Sequence, residues 1–126
     1  MNKQIINTID APAPIGPYSQ AVRAAGLLFI SGQVALKPGS STLVTTSITD
    51  ETEQVMDNLK AILHAAGLGF EHVIKTTIFL DDMGLFAAVN EVYGKYFDTG
   101  FPARETVAVK GLPKDARVEI SMIASA

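Results

Sequence analysis

The stretch from Phe101 to Ile120 constrains the fold most, because it contains two alternating, strand-like runs separated by a segment rich in turn residues. Neighbouring side chains of a strand point to opposite faces, so each run has an inner and an outer side. We therefore expect a β-hairpin here, with Gly111 to Ala116 as its turn.

The alternation assigns the side chains of this hairpin to two faces. The buried face is expected to contain Val107, Val109, Val118, Ile120 and Met122. The other face would contain Arg104, Thr106, Arg117, Glu119 and Ser121. An arginine and a carboxylate on one face form either a surface ion pair, which is the commoner case, or the floor of a site for an anionic ligand. The pattern leaves both open.

Length and composition indicate one domain covering residues 1–126, without an internal boundary or linker. Hydrophobic residues make up 48% of the chain, which is high for a small protein with a large surface-to-volume ratio. We expect another subunit to cover part of this apolar surface.

Charge and residue usage exclude several classes of function. The net charge is −3 and there is no cluster of basic residues, so nucleic acid is not expected as the main partner. No apolar run approaches the ~20 residues that span a bilayer, and the N-terminus lacks a signal-peptide core. The chain has no cysteine, which excludes a thiol nucleophile. We expect a cytoplasmic protein.

The remaining pattern predicts a two-layer α+β domain. Strands are expected at 21–25 and 27–31, helices at about 49–66 and 83–97, and a central strand, buried on much of both faces, at 72–80. Asp50 with Glu53 resembles a capping box for the first helix. The two helices would cover one face of a mixed sheet. The other face, including Arg104, Thr106 and Glu119, would be left for association between subunits.

Three further positions are candidates for binding. Tyr18 ends a proline-rich loop, Gly32 would let the backbone approach a ligand closely, and Asn90 lies at the edge of an apolar helix stripe. The commoner role for Tyr18 in such a position is an amphipathic rim residue, and for Gly32 a β-bulge.

No common cofactor or nucleophile signature is present, neither a phosphate-binding glycine loop nor a G-x-S-x-G turn nor a paired-histidine zinc motif. This favours cofactor-free chemistry or simple binding. The planar guanidinium of Arg104 is suited to bidentate capture of a carboxylate, which would leave Glu119 to orient water or move a proton.

Several motifs, in the same order, resemble the reactive intermediate deaminase family, also known as the RidA, YjgF or liver perchloric-acid-soluble-protein group and sometimes called endoribonuclease. The resemblance covers nearly the whole chain. The motifs are 13–21 (APIGPYSQA), 31–33 (SGQ), 73–79 (VIKTTIF), 88–93 (AVNEVY), 101–104 (FPAR), 112–115 (LPKD) and 118–120 (VEI).

The resemblance implies a chorismate-mutase-like subunit and a homotrimer with clefts between adjacent subunits. It also implies hydrolysis of 2-imino or enamine acids, such as 2-aminoacrylate and 2-iminobutanoate, to 2-oxo acids and ammonia, with no cofactor. Arg104 would bind the substrate carboxylate and Glu119 would activate water. The other positions that match the cleft of the family are Tyr18, Ser31, Gly32, Asn90 and Thr106.

Some positions depart from the usual family pattern. Thr106 replaces a frequent cysteine, Glu105 a frequent serine, and Ser121 a common second glutamate, so substrate range and rate are the properties in question. A non-enzymatic binder of small carboxylates such as 2-oxo acids is the alternative. A ribonuclease fits the acidic balance poorly, since no basic track is present.

Overall fold

The computed structural model describes residues 2–126, which form one mixed six-stranded sheet and two α-helices. The elements in chain order are β1 (Gln4–Ile6), β2 (Ala21–Ala24), β3 (Leu27–Gln33), α1 (Ile48–Ala65), β4 (Val73–Leu80), α2 (Phe86–Gly94), β5 (Ala103–Ala108) and β6 (Val118–Ser125). Short 3₁₀ turns precede β4, α2 and β6. Within residues 2–126, no helix is both long and apolar enough to cross a membrane.

The sheet order is β1-β2-β3-β6-β4-β5, and β4 and β5 form its only parallel pair. Both helices pack on the same face, where their buried side chains share one hydrophobic cluster with the sheet. The predicted α+β architecture, with two helices on one face of a mixed sheet, is confirmed. The edge strand β1 was not predicted, because only three residues form it and only Ile6 among them is buried.

The predicted bounds of helix α1 were nearly correct, but the predicted N-cap was not. The side chain of Ser47 accepts a hydrogen bond from the amide of Asp50 at 3.0 Å, so Ser47 is the cap and the proposed Asp50–Glu53 box is wrong. After the helix, Gly67 adopts φ +76°, a left-handed conformation that favours glycine and ends the helix.

The second helix and the central strand differ from prediction in extent. Helix α2 is shorter than expected, because Asp82 caps a separate 3₁₀ turn by accepting from the amide of Gly84 at 2.7 Å. Strand β4 lies inside the sheet as predicted, but its burial alternates and Ile74 is 48% exposed. Only one face of this strand is therefore buried in the subunit.

The predicted hairpin between 101 and 120 is wrong. Strand β4 lies between β5 and β6, pairing in parallel with β5 and antiparallel with β6. Because α2 connects β4 to β5, these strands form a β-α-β crossover unit, and the chain must then cross β4 to start β6. The bond from the amide of Asp81 to the carbonyl of Arg117, 3.0 Å, marks this crossing.

Because β5 and β6 are not neighbours, the side chains that share a face also differ from prediction. Thr106 is paired with Ile78, which is paired with Ile120, so Thr106 and Arg104 point to the helix side of the sheet. Glu119 is paired with Phe79, which is paired with Val107, and this row points away from the helices. The prediction that Arg104, Thr106 and Glu119 share the uncovered face is therefore wrong for the two β5 residues.

The prediction failed because it assigned the side chains of β5 to the wrong faces of the sheet. Val107 was expected in the core because it is apolar, yet it is 40% exposed. A shift of one residue in assigning a strand moves every side chain to the opposite face. The uncovered face consequently gains an apolar side chain, and Ile5, Phe29 and Val107 are all exposed on it.

Candidate functional site

Glu119 lies in a cavity of about 390 Å³ on the side of the sheet away from the helices. The cavity is formed by the proline-rich loop, the end of β3 and the turn before β6. Its other lining residues include Ile15, Tyr18, Ser31, Gly32, Gln33, Leu36, Pro113 and Lys114. Three residues predicted to bind substrate, namely Tyr18, Ser31 and Gly32, are therefore brought together with Glu119.

The proline-rich loop is held in place by the buried side chain of Gln20. Its amide oxygen accepts from the backbone amide of Thr8 at 2.7 Å, and its amide nitrogen donates to the carbonyl of Pro12 at 2.9 Å. An extended glutamine therefore supplies bonds that a loop with three prolines cannot make for itself. Gln20 was not among the predicted site residues, although its polar side chain directly precedes the first core strand.

The end of β3 places backbone against the carboxylate of Glu119. The register shifts between Ile30 and Gln33, so a bulge is present at Gly32. A Cβ atom on Gly32 would lie 2.7 Å from Oε2 of Glu119, so only glycine lets the backbone approach so closely. Ser31 anchors this segment by donating from its hydroxyl to the carbonyl of Ser19 at 2.6 Å.

The carboxyl group of Glu119 is half-buried and has no cationic partner in the part of the chain that the structure describes. The ion pairs there join Glu71 to His72, Glu105 to Lys75 and Glu51 to Arg117. Burial raises the pKa of Glu119 above its ordinary value. A carboxyl group with a raised pKa exchanges protons more readily near neutral pH, as a general acid or base requires.

Arg104 lies in a second, separate cavity of about 330 Å³, between β5 and α2. Asn90, Tyr93, Phe101 and Pro102 also line it. The guanidinium carbon of Arg104 lies 5.1 Å from the ring centroid of Tyr93 and 5.7 Å from that of Phe86. The ion pairs of residues 2–126 do not involve Arg104, so its planar donors face no carboxylate.

Thr106 is on the same side of β5 as Arg104, but its hydroxyl is buried. This oxygen has no hydrogen-bond partner within residues 2–126. An unpaired buried hydroxyl costs about 1–3 kcal/mol, so it is an unusual feature of a folded chain.

Six of the seven predicted residues thus form two groups in one subunit, and Thr106 lines neither cavity. Tyr18, Ser31, Gly32 and Glu119 surround the first cavity, whereas Asn90 and Arg104 lie at the second. The contact of Phe86 and Tyr93 with Arg104 was not predicted. The signal was present, because positions 86, 90 and 93 are at i, i+4 and i+7 on one helix face.

The sheet order and the placement of both helices define a class, the chorismate-mutase-like α+β subunits. Comparison with known proteins then gives the family. The family model described as endoribonuclease L-PSP matches residues 8–126. The chain belongs to this family, the reactive intermediate deaminase group indicated by its motifs.

Individual relatives carry different names. A RutC family protein of Pyrococcus horikoshii is 51% identical over 122 residues, covering 97% of each chain. The 2-iminobutanoate/2-iminopropanoate deaminase of Mus musculus is 48% identical over 122 residues, covering 97% of this chain and 90% of the mouse protein. The crystal structure of E. coli TdcF with bound serine has a TM-score of 0.93 at 40% identity, covering 98% of both chains.

Proposed function

We propose that this protein is a cofactor-free deaminase that hydrolyses 2-imino and enamine acids, such as 2-iminobutanoate and 2-aminoacrylate, to 2-oxo acids and ammonia in the cytoplasm. The observation that carries the proposal is the pair of uncompensated charges. Among the residues that the structure describes, Glu119 is a half-buried carboxylate without a cationic partner, and Arg104 is a cation without a carboxylate partner. The deaminase name of the mouse relative, at 48% identity, supports this reading.

The proposed reaction needs only water and proton transfer. Arg104 binds the substrate carboxylate through its planar N–H donors. An enamine substrate first takes a proton from solvent at its terminal carbon and becomes the protonated imine. Glu119 accepts a proton from water as the oxygen bonds to the imine carbon and the C=N π electrons move to nitrogen, which gives the carbinolamine. Glu119 then returns its proton to the amino nitrogen, the carbon–nitrogen bond breaks, ammonia leaves with the bonding pair, and the hydroxyl proton passes to solvent as the 2-oxo group forms.

The proposed cleft combines residues of two subunits. Arg104 and Glu119 point to opposite faces of one sheet, so one subunit does not present both to the same face. Arg104 is on the edge strand β5, from which it can reach a neighbouring subunit. The exposed apolar side chains of the uncovered face, Ile5, Phe29 and Val107, favour association there. A homotrimer, as in the family, would form three such clefts.

An amino-acid oxidase generates the substrate for the test in situ. Release of 2-oxo acid from the imino acid should accelerate when the purified protein is added. At an imino acid concentration well below the wild-type KM, Arg104→Ala should remove most of this acceleration. The exposed cation Lys60 offers a matched control, because Lys60→Ala removes a charge that lines neither cavity. If 2-oxo acid is released at the same rate with and without the wild-type protein, the deaminase proposal is refuted.

A non-enzymatic carboxylate binder is the second candidate, favoured by the serine bound to E. coli TdcF. It predicts saturable binding of 2-oxobutanoate that requires Arg104, without turnover of any imino acid. Glu119→Ala would then leave the affinity largely unchanged. The endoribonuclease description of the family suggests RNA as a substrate, but the acidic chain offers no basic track to hold it.

A further inference from the structure

The guanidinium of Arg104 is contacted by aromatic rings, at the place where an ion-pair partner is usually found. The guanidinium lies over the rings of Tyr93 and Phe86, at 5.1 Å and 5.7 Å from their centroids. Such contacts stabilise a cation electrostatically through the ring face. They do not use the five N–H donors of the guanidinium, which an ion pair would occupy.

Helix α2 determines where both rings lie. Phe86 starts the helix and Tyr93 follows two turns later, so both project from the same face toward β5. Tyr93 is 4% exposed, and its hydroxyl donates to the hydroxyl oxygen of Thr76 at 3.0 Å. Thr76 pairs directly with Arg104 in the sheet, so this bond fixes the ring relative to the strand position of the arginine.

The Tyr93 ring also remains a neutral phenol. Burial raises the pKa of Tyr93, while the hydrogen bond with Thr76 and the charge of Arg104 oppose this shift to a smaller extent. The contact with Arg104 is therefore with an aromatic face and a protonated hydroxyl across the neutral pH range.

We infer that Phe86 and Tyr93 are positioning residues, which hold the guanidinium of Arg104 in place by cation–π contacts and leave its N–H donors free for a carboxylate. The inference rests on the proposed binding of a carboxylate by Arg104. Positioning by rings lowers the conformational freedom that a long arginine side chain would lose on binding a ligand.

Phe86 is the better position to test, since it is 38% exposed and its replacement leaves the core intact. In the oxidase-coupled assay, Phe86→Leu should raise KM for the imino acid about five- to tenfold with little change in kcat, because the aromatic face is lost. The inhibition constant of 2-oxobutanoate should rise by the same factor. Phe86→Tyr keeps an aromatic face and should restore both constants.

Tyr93→Phe provides a second readout, because it keeps the ring and removes only the bond to Thr76. It should change KM by about twofold or less. Unchanged KM and inhibition constants in Phe86→Leu, or a loss of kcat alone, would overturn the inference. The deaminase proposal would still stand in that case, because it depends on turnover by the wild type. If the wild type shows no turnover, the deaminase proposal fails, and titration with 2-oxobutanoate decides the role of the rings by the same fold-changes.

Discussion

The two cavities differ in the charged group that each of them contains. Around Glu119, loops and a bulged strand enclose a carboxyl group whose pKa is raised by burial. Around Arg104, two aromatic rings lie against a guanidinium. Within residues 2–126, neither group forms an ion pair. In the proposed reaction, the first group exchanges a proton and the second binds an anion.

The difference indicates how a chain without a cofactor motif obtains two chemical roles. An arginine close to the carboxylate would lower the pKa of Glu119 and occupy the donors of Arg104. Placing the two groups on opposite faces of one sheet prevents this neutralisation within the subunit. Assembly would then bring them to one cleft, where the substrate carboxylate lies between them.

The largest expected effect comes from removing the proton-exchanging group. Glu119→Gln keeps the shape of the side chain but cannot accept a proton from water, so kcat for imino acid hydrolysis should fall about 10²–10⁴-fold. Steady-state kinetics measure this fall. The exposed carboxylate Glu91 is a suitable control, since Glu91→Gln should keep the wild-type rate. Wild-type kcat in Glu119→Gln would remove Glu119 from the mechanism.

Replacing the anion-binding group should affect KM. A hydrogen bond to a charged group contributes about 1.5–3 kcal/mol, and Arg104→Ala should raise KM about 10- to 100-fold. Arg104→Lys keeps the charge without the planar fork and the ring contacts, so its KM should lie between those of Arg104→Ala and the wild type. Equal KM values for the lysine variant and the wild type would show that charge alone is sufficient.

The close approach at Gly32 should have an intermediate effect. In Gly32→Ala the new Cβ would displace the carboxylate of Glu119, and kcat should fall about 10- to 100-fold through misplacement of the base. Because the displaced atoms end a flexible side chain, the fold should survive, which circular dichroism would verify. Gly111→Ala is the matched control, since its Cβ meets nothing within 4 Å.

The smallest effect concerns stability. The raised pKa of Glu119 means that the native state holds this proton at a pH where the unfolded chain has released it. Stability therefore falls as pH rises from the ordinary pKa of the carboxyl to its raised value. Glu119→Gln removes this pH-dependent contribution. Between pH below ~4 and neutral pH, the free energy of unfolding, measured by denaturation, should therefore fall less for the variant than for the wild type. An identical pH dependence for both proteins would argue against the raised pKa.

Some of the fold was predictable because the local pattern is strong. Helix α1 and strands β2 to β4 follow from periodicity and turn residues such as Ala25 and Gly26, both of which adopt positive φ. The partner of β5 was not predictable in this way. Alternation fixes parity within a strand, but which strand lies alongside depends on the crossover through α2.

The site was predictable to the same extent. The motifs identified Tyr18, Gly32, Arg104 and Glu119 as candidates, and the geometry divides them between two cavities. Local sequence does not determine that division, since it depends on the order of strands across the sheet. The ring contacts of Arg104 depend on the pairing of β5 with β4, and they follow only once the fold is known.

Mixing two impaired variants, assayed at an imino acid concentration well below the wild-type KM, tests the shared cleft most directly. Arg104→Ala and Glu119→Gln subunits, unfolded and reassembled together in equal amounts, would form trimers in which about one cleft in four has both native residues. The account predicts about a quarter of wild-type activity in the mixture, whereas each variant reassembled alone should show about a tenth or less. Activity in the mixture no higher than the average of the two variants would contradict a cleft built from two subunits.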